Sequence, residues 1–393
     1  MNIKKSTRTI KTKKEPTRRS YPTKFSLSEF AGALGDWGTL IPFIIGYISI
    51  VGLNPAGVFL CLGFTNIILG IRFNLPLPVQ PQKTIGTIAI SQAWNPGLVI
   101  STGFGTGIIW TILGLTKFLE KIVRKVPVVL VRGIQLGLGL ILGWTAYLLL
   151  ISDIFLGIIS VSIIILIFRF KRIPSSIILV ALGIVLLFLN QSITLSNIQF
   201  GLPYFSFHVP QWDEILIGMV IAGIAQLLLT LTNVMIATIS LIKDLFPERE
   251  NAITASELAV NMGIMNLISP FLGGIPLCHG SGGLAAQYAF GARTGGSMIL
   301  EGIMELLLGL FFSETLFLLF NNFPKAILGA MLLYTAFLLG KISFKDFESK
   351  NLPIILITAI FCFILNITLG FLVGFLAYII LKIIERKFSD QSE

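Results

Sequence analysis

Charged side chains are scarce in this chain. Asp, Glu, Lys and Arg make up 12% of its 393 residues, whereas hydrophobic residues make up 54%, and the mean hydropathy is +0.89. A soluble fold of this length needs far more polar surface than such a composition supplies. The scarcity of charge therefore excludes a soluble globular protein and predicts a multi-pass protein of the cell membrane.

Cysteine and histidine are also rare, with three and two copies. Cys61, Cys278 and Cys362 lie in apolar segments without the spacing of disulfides or metal ligands, so we expect buried thiols. His279 has no Asp, Cys or second His at ligand spacing around it. We therefore expect neither a metal site nor a cofactor.

Positive charge is concentrated outside the apolar runs. Nine of the 29 Lys and Arg residues lie in the first 24 positions, which lack the apolar core of a signal peptide. We expect a solvated, basic cytoplasmic tail over residues 1–24, with contact to anionic lipid headgroups as the alternative, and no nucleic-acid partner. The remaining charges mark alternate loops, at Arg72, 117–125, 169–172, 243–249, Arg293, 341–350 and 382–387. By the positive-inside rule these loops and both termini are cytoplasmic, with Lys325 as the exception.

Apolar runs bounded by charges, Pro/Gly clusters or polar turns divide the chain into fourteen membrane segments. The predicted segments are 26–51, 56–71, 74–91, 97–115, 128–150, 154–170, 174–189, 215–241, 253–271, the stretch after Pro276, 298–318, 325–339, 352–367 and 370–384. They form two repeats of seven, at 25–191 and 211–384. An extracytoplasmic linker, 192–210, joins the repeats, and a short cytoplasmic tail, 385–393, follows them. The predicted fold class is an all-α polytopic membrane protein.

Two of these segments are too short and irregular to be spanning helices. The third, NLPLPVQPQKTIGTIAIS, is proline-rich up to Pro81, and the tenth, IPLCHGSGGLAAQYAFGARTGGS, contains Pro276 and six glycines. Both predict extended backbone followed by a half-helix, which lipid tolerates only where the backbone is packed in protein or lines a cavity. Each is third in its set of seven, and 195 residues separate the two prolines. Because seven is odd, the repeats have opposite topology, as in many secondary transporters.

The two half-helices define the candidate substrate site. Their N-termini present free N–H groups and positive dipole ends, which favour an anion. Lys83 is a costly charge at membrane depth; it either forms a structural pair with Asp36 or helps to balance an anion, and both roles are compatible. The expected substrate-binding residues come from these segments and from a polar stripe on the eighth span: Gln80, Gln82, Lys83, Thr84, Gln226, Thr230, Cys278, His279, Gly280, Ser281 and Gly282.

Asp36 is the candidate for coupling transport to protons. It lies at membrane depth in the first span, and a dianion bound beside it would favour its protonation. Substrate and proton would then enter together, offsetting part of the potential that opposes a dianion. The alternative is that Asp36 only fixes Lys83 or a helix end.

Other polar residues in the spans have structural explanations. Asn233 shares a helical face with the Gln226 stripe, and we expect it to form an interhelical hydrogen bond. Glu257 with Asn261, and Glu301 with Glu305, also share faces. We place these carboxylates toward the cytoplasmic ends of their spans and expect a solvated or structural role.

The tenth segment does not match a catalytic motif. Its GSGG run lacks the trailing Lys-Ser or Lys-Thr of a P-loop, and HGSGG lacks the first glycine of a G-x-S-x-G elbow. Catalysis by Ser281 or Cys278 is therefore not expected, and we predict that the protein is not an enzyme.

Four stretches resemble the motifs of the molybdate transporter family, distant relatives of the sulfate permeases: PVQPQKTIGTIA, VRGIQLGLGL, QLLLTLTN and PLCHGSGGLAAQYAFGARTGGS. The similarity covers the chain from Phe25 to Ile384. It implies the seven-plus-seven fold of sulfate permeases and nucleobase transporters, with spans one to four and eight to eleven as a mobile core and the other spans as a gate. It also implies an oxyanion between the half-helices, elevator-type alternating access and a homodimer. The regulatory domain that follows the last span in sulfate permeases is expected to be absent.

Several functions remain open from the sequence. Molybdate is the expected substrate, with tungstate or sulfate as alternatives, because tetrahedral dianions differ mainly in size and basicity. A nucleobase carrier of the same fold would place a carboxylate where this chain has Gln226 and Ser281. An anion channel and an intramembrane enzyme are rivals of a different class.

Overall fold

A computed structural model describes residues 21–116, 119, 127–170, 174–204, 207–249, 252–344 and 349–390. Most of the predicted basic tail (1–24), almost all of the basic stretch 117–125 and the last three residues lie outside the described residues. Predictions about those segments therefore stay predictions.

The first half of the chain is helical apart from one short strand. Its elements are α1 Leu27–Ser49, α2 Pro55–Phe73, β1 Val79–Pro81, α3 Lys83–Ser91, α4 Pro96–Leu115, α5 Val128–Leu150, α6 Ile154–Phe170 and α7 Ser175–Leu189. Local sequence explains several helix starts. Asn54 and Asn95 each accept a hydrogen bond from the first turn of the following helix, and a proline follows each as the first helical residue.

The second half repeats this pattern of long helices around one short strand. Its elements are α8 Trp212–Leu245, α9 Ala255–Ile268, β2 Leu277–His279, α10 Ser281–Ala289, α11 Gly296–Phe311, α12 Ser313–Asn321, α13 Lys325–Ser343, α14 Leu352–Ile364 and α15 Ile367–Asp390. Helix α8 contains two π-helical turns, Met219–Gly223 and Leu231–Ile236. Such turns are frequent at functional sites.

Seven helices in the described part of the chain are long and apolar enough to cross a membrane. They are Leu27–Ser49, Pro55–Phe73, Pro96–Leu115, Val128–Ile167, Trp212–Leu245, Lys325–Ser343 and Ile367–Ile384. The range Val128–Ile167 counts α5 and most of α6 together. An eighth crossing results if α11 and α12 are counted as one span. The protein is therefore a multi-pass, mostly helical membrane protein, as predicted.

The eleventh predicted segment, 298–318, is not one straight helix. Helices α11 and α12 meet at Phe312 with a bend of 87°. Ser313 and Glu314 interrupt the apolar run there, and a carboxylate in the first turn favours the start of a new helix.

The all-α prediction missed a two-stranded antiparallel sheet. Val79 pairs with His279, Gln80 with Cys278 and Pro81 with Leu277, and Gln82 N donates to Pro276 O at 2.8 Å. Extended backbone inside a membrane needs internal hydrogen-bond partners. Each strand supplies them to the other, and so fixes where α3 and α10 begin.

Two asparagines on neighbouring helices hold the outer ends of the strands. Asn66 Oδ1 of α2 accepts from Val79 N at 2.9 Å. Asn266 Oδ1 of α9 accepts from Leu277 N at 2.7 Å, and its Nδ2 donates to Leu277 O. The strands are therefore anchored to the helices behind them.

Close helix packing surrounds the sheet. Helix α2 packs on α11, α4 on α9, and α5 on α13 and α14. A Cβ on Gly63 would lie 2.8 Å from Gly302 O, and one on Gly302 would lie 2.6 Å from Gly63 O. Only glycine permits the α2–α11 backbones to approach this closely.

Candidate functional site

Helices α3 and α10 begin directly after the paired strands, so their N-termini lie side by side. Gln82 and Gly280 are the N-cap residues, and neither caps its helix with its side chain. The first-turn N–H groups of a helix carry partial positive charge and favour an anionic ligand. The sheet thus places two such termini at one location.

A cavity of about 500 Å³ opens at these termini. Nine of the eleven predicted substrate residues line it: Gln80, Lys83, Gln226, Thr230, Cys278, His279, Gly280, Ser281 and Gly282. Side chains from α5, Ser240 and Asp244 of α8, and Ile342 also line the cavity. Since Asp244 adjoins Lys243 and Ile342 adjoins Lys341, the cavity extends toward the side that the positive-inside rule assigns to the cytoplasm.

Among the described residues, Lys83 is one of two cationic side chains that line the cavity, and Arg132 is the other. Lys83 Nζ lies 3.8 Å from the position that a Cβ on Gly282 would occupy, so it faces the first turn of α10. Both residues are described, and no ion pair within 4.0 Å joins Lys83 to Asp36. The ammonium group is therefore directed at the cavity and not at a direct carboxylate partner.

Asp36 lies behind the cavity and does not line it. The residue is fully buried, and its Oδ1 accepts hydrogen bonds from Gln80 Nε2 and from Thr39 Oγ1. Its Oδ2 is buried without a partner. Because Gln80 lines the cavity, one side chain separates Asp36 from the cavity.

A chain of hydrogen bonds joins the two half-helices through α8. Thr84 N donates to Gln226 Oε1 at 2.8 Å, and Gln226 Nε2 donates to Thr230 Oγ1 at 2.9 Å. Thr230 Oγ1 in turn lies 3.8 Å from Cys278 Sγ. The i, i+4 spacing predicted for Gln226 and Thr230 thus places both on the cavity face.

His279 is positioned by a neighbouring helix. Asn261 Nδ2 of α9 lies 2.6 Å from His279 Nε2, and the imidazole is buried. Asn261 therefore orients a cavity-lining side chain. Glu257 was predicted to share a helical face with Asn261. Its side chain caps the start of α9 together with Thr254, and its Oε1 lies 3.9 Å from Arg72 Nη2.

Two predicted residues point away from the cavity. Gln82 Nε2 donates to Thr106 Oγ1 at 2.9 Å and to Leu277 O at 3.1 Å. Thr84 is fully buried and contributes its backbone N–H to Gln226. Neither side chain lines the cavity. The Gln82 side chain holds α3 against α4, and the Thr84 backbone N–H holds it against α8.

A polar cluster between α5 and α8 was not predicted from the sequence. Arg132 Nη1 donates to Ile342 O at 2.9 Å and lies 3.3 Å from Gln135 Oε1, while Gln135 Nε2 donates to Asn233 Oδ1 at 2.9 Å. The side chains of this cluster, Arg132, Gln135 and Asn233, line the cavity. The interhelical bond expected for Asn233 is present. The sequence signal for Arg132 and Gln135 was their i, i+3 spacing in the otherwise apolar stretch VRGIQLGLGL.

The solvated role considered for Glu301 and Glu305 is wrong, because both are fully buried. Helix α11 packs its glutamate face on α1 and α2, where polar side chains meet it. Trp37 Nε1 and Gln287 Nε2 donate to Glu301, and Asn66 Nδ2 donates to Glu305. These donors make burial of the carboxyl groups tolerable.

Known proteins share both sequence and fold with this chain. Residues 28–142 and 218–339 match the family described as "Molybdate transporter of MFS superfamily". Over 91% of its length the chain is 32% identical to Molybdate transporter 2 of Arabidopsis thaliana, and the match covers 87% of that protein.

Solved structures show the same fold at low identity. The structure of SLC26A9 matches with a TM-score of 0.68 at 13% identity. The match covers 93% of this chain and 66% of the SLC26A9 chain. The transmembrane domain of the cyanobacterial bicarbonate transporter BicA matches with a TM-score of 0.65 at 15% identity, covering 88% of this chain and 97% of that domain. At the coarse level of a mostly helical multi-pass membrane protein, the fold is therefore the one predicted from the sulfate permease resemblance.

The comparisons also decide the functional class. The family and the relative named above are transporters, which confirms that the chain is not an enzyme. The family match covers more than half of the chain, and the motifs that carried the resemblance lie within it. The protein belongs to the molybdate transporter family.

Proposed function

We propose that this protein is a secondary active transporter that carries molybdate across the membrane, with the oxyanion held between the N-termini of α3 and α10. The observation that carries the proposal is the convergence on one cavity of Lys83 and two helix N-termini, neither of which is capped by the side chain of its own N-cap residue. A tetrahedral dianion suits this set, since one full cation and two partial positive charges surround it.

Neutral hydrogen-bonding groups complete the proposed site. Gln80, Gln226, Thr230 and Ser281 line the cavity and can reorient around the oxygens of an oxyanion. The relative from Arabidopsis thaliana is named a molybdate transporter, which favours molybdate over other oxyanions. A sulfate carrier is the second candidate, because the same charges would hold that smaller dianion.

The proposed architecture is an inverted repeat of fourteen segments with the third and tenth broken. The antiparallel pairing of β1 with β2 supports it, as do the matching contacts of Asn66 with Val79 and of Asn266 with Leu277. In each half, the strand that precedes the half-helix donates a backbone hydrogen bond to an asparagine of the preceding long helix. This correspondence is what a duplication with opposite topology would produce.

The proposed transport cycle is elevator-type alternating access. Residues of α3, α8 and α10 line one side of the cavity, and Val128, Val131 and Arg132 of α5 line the other. Sliding the first group of helices past α5 and its neighbours α13 and α14 would carry the site across the bilayer. The proposal includes a homodimer in the cell membrane with both termini cytoplasmic.

Uptake of labelled molybdate into proteoliposomes at a series of external pH values tests this function. The wild type should take up molybdate saturably and faster with acid outside, because a dianion beside Gln80 favours a proton on the buried Asp36. Asp36→Asn should retain uptake but flatten the pH dependence by at least about threefold, since the lost group is a proton acceptor. A wild type with no pH dependence, or an Asn variant with full acid stimulation, would remove Asp36 from this role.

A further inference from the structure

Two carboxylate oxygens in the described residues are buried without any hydrogen-bond partner. One is Asp36 Oδ2 and the other is Glu305 Oε1. The proposed function accounts for the first. Glu305 is fully buried on α11, and the transport cycle proposed above assigns it no role.

Glu305 forms a pair with Glu301, one helical turn earlier on the same face. Both oxygens of Glu301 accept hydrogen bonds, from Trp37 Nε1 at 3.1 Å and from Gln287 Nε2 at 2.6 Å. Glu305 accepts one, from Asn66 Nδ2 at 2.8 Å. Donors on both oxygens stabilise an ionised carboxylate, so the geometry assigns the negative charge to Glu301 and leaves Glu305 Oε1 as the position for a proton.

Cations around the pair do not neutralise it. Helices α1, α10, α11 and α12 contain no Lys, Arg or His. The charged groups of the surrounding elements are Asp36 and Glu29 on α1, Arg72 on α2, Glu314 on α12 and Lys83 beyond Asp36 on α3. Glu29 accepts from the N–H groups of Thr294 and Ser297, and Arg72 lies beside Glu257. A second buried negative charge beside Glu301 would therefore be unpaired, which raises the free energy of the ionised form of Glu305 and favours proton uptake there.

The pair is joined to the substrate site by short hydrogen-bonded links. Asn66, the donor to Glu305, also accepts from Val79 N, the residue next to Gln80 on β1. Gln287, a donor to Glu301, belongs to α10, whose first turn lines the cavity. A change of charge at the glutamates can thus act on both half-helix units.

We propose that Glu305 is a second proton-binding group of the transport cycle, so that each molybdate dianion enters with two protons, one on Asp36 and one on Glu305. The inference rests on the proposed function. A proton from the outside water binds Glu305 Oε1 when the dianion occupies the site, and it leaves to the cytoplasm after the dianion does. A complete transport cycle then moves no net charge across the membrane.

The test counts protons per molybdate in proteoliposomes that contain an entrapped pH indicator and receive labelled molybdate. The wild type should move two protons per molybdate and Glu305→Gln one, because glutamine keeps an acceptor for Asn66 but binds no proton. Glu257→Gln is the matched control; it alters a partly exposed glutamate at the start of α9 and should still move two. Two protons in Glu305→Gln, or one in the wild type, would overturn the inference.

A measurement on the wild type alone covers the case in which Glu305→Gln does not fold. At a fixed pH gradient, an imposed potassium diffusion potential should leave molybdate accumulation unchanged, because a complete cycle moves no net charge. Transport of one net charge would instead change accumulation about fifty-fold per 100 mV, and that result would overturn the two-proton cycle. Molybdate uptake without any proton movement would overturn proton coupling as a whole, whereas absence of uptake would overturn the proposed substrate.

Discussion

Gly282→Val is expected to abolish molybdate binding while leaving the protein folded. Gly282 is in the first turn of α10, and within 4 Å a Cβ there would meet only Lys83 Nζ, at 3.8 Å. The added side chain would therefore occupy cavity space that we assign to the oxyanion, next to its cation. Equilibrium binding of labelled molybdate to the purified protein should weaken by at least about a hundred-fold, which corresponds to roughly 3 kcal/mol.

Gly340→Val is the matched control for this substitution. A Cβ on Gly340 would meet nothing within 4 Å, and the residue lies within α13, outside the residues that line the cavity. The control carries the same cost of placing valine in a helix and should bind molybdate like the wild type. Binding by Gly282→Val within about threefold of the control would show that the anion is not held at this turn.

Lys83→Ala is expected to weaken molybdate binding by about 10- to 100-fold, because hydrogen bonds to charged groups contribute about 1.5–3 kcal/mol. The loss should appear in affinity and not in the thermal stability of the detergent-solubilised protein, since no ion pair within 4.0 Å links Lys83 to Asp36. Lys325→Ala removes an exposed lysine at the start of α13 and should leave affinity unchanged. Unchanged affinity in Lys83→Ala would reduce this lysine to a structural charge.

Local patterns in the sequence were sufficient to predict the long helices. Helices α5 and α6 have the predicted bounds, Val128–Leu150 and Ile154–Phe170, because apolar runs there end at prolines or polar residues. Helix α10 begins at Ser281, within the Gly280–Gly283 run, so the glycines do not mark its start. The position where α3 begins was also predictable, since Pro81 prevents helix before it. These features depend on neighbouring residues only.

Features that depend on distant contacts were not predictable from one sequence. The pairing of Val79 with His279 joins strands 200 positions apart, and three-residue strands leave no alternating pattern. Glu301 and Glu305 were placed near a solvated helix end, because nothing local shows that Trp37, Asn66 and Gln287 meet them. The bend at Phe312 had a local signal, Ser313 and Glu314 within the apolar run, but the apolar residues on both sides were assigned to one span.

The candidate site was predictable in composition but not in orientation. The sequence indicated that Gln80, Gln82, Lys83 and Thr84 form one cluster, yet only two of these four side chains line the cavity. Residues 79–81 alternate as a strand and then enter a helix, so the direction of each side chain depends on where the strand ends. The Arg132 cluster joins the cavity from α5, a helix whose position no local pattern fixes.

Counterflow of labelled molybdate in proteoliposomes tests the central claim most directly, because it measures carrier exchange and substrate choice together. Vesicles loaded with unlabelled molybdate or tungstate should accumulate external labelled molybdate transiently. Vesicles loaded with the same concentration of sulfate should do so much less, and vesicles loaded with uracil should not. The claim would be contradicted if sulfate drove counterflow as strongly as molybdate, or if internal molybdate gave no transient accumulation.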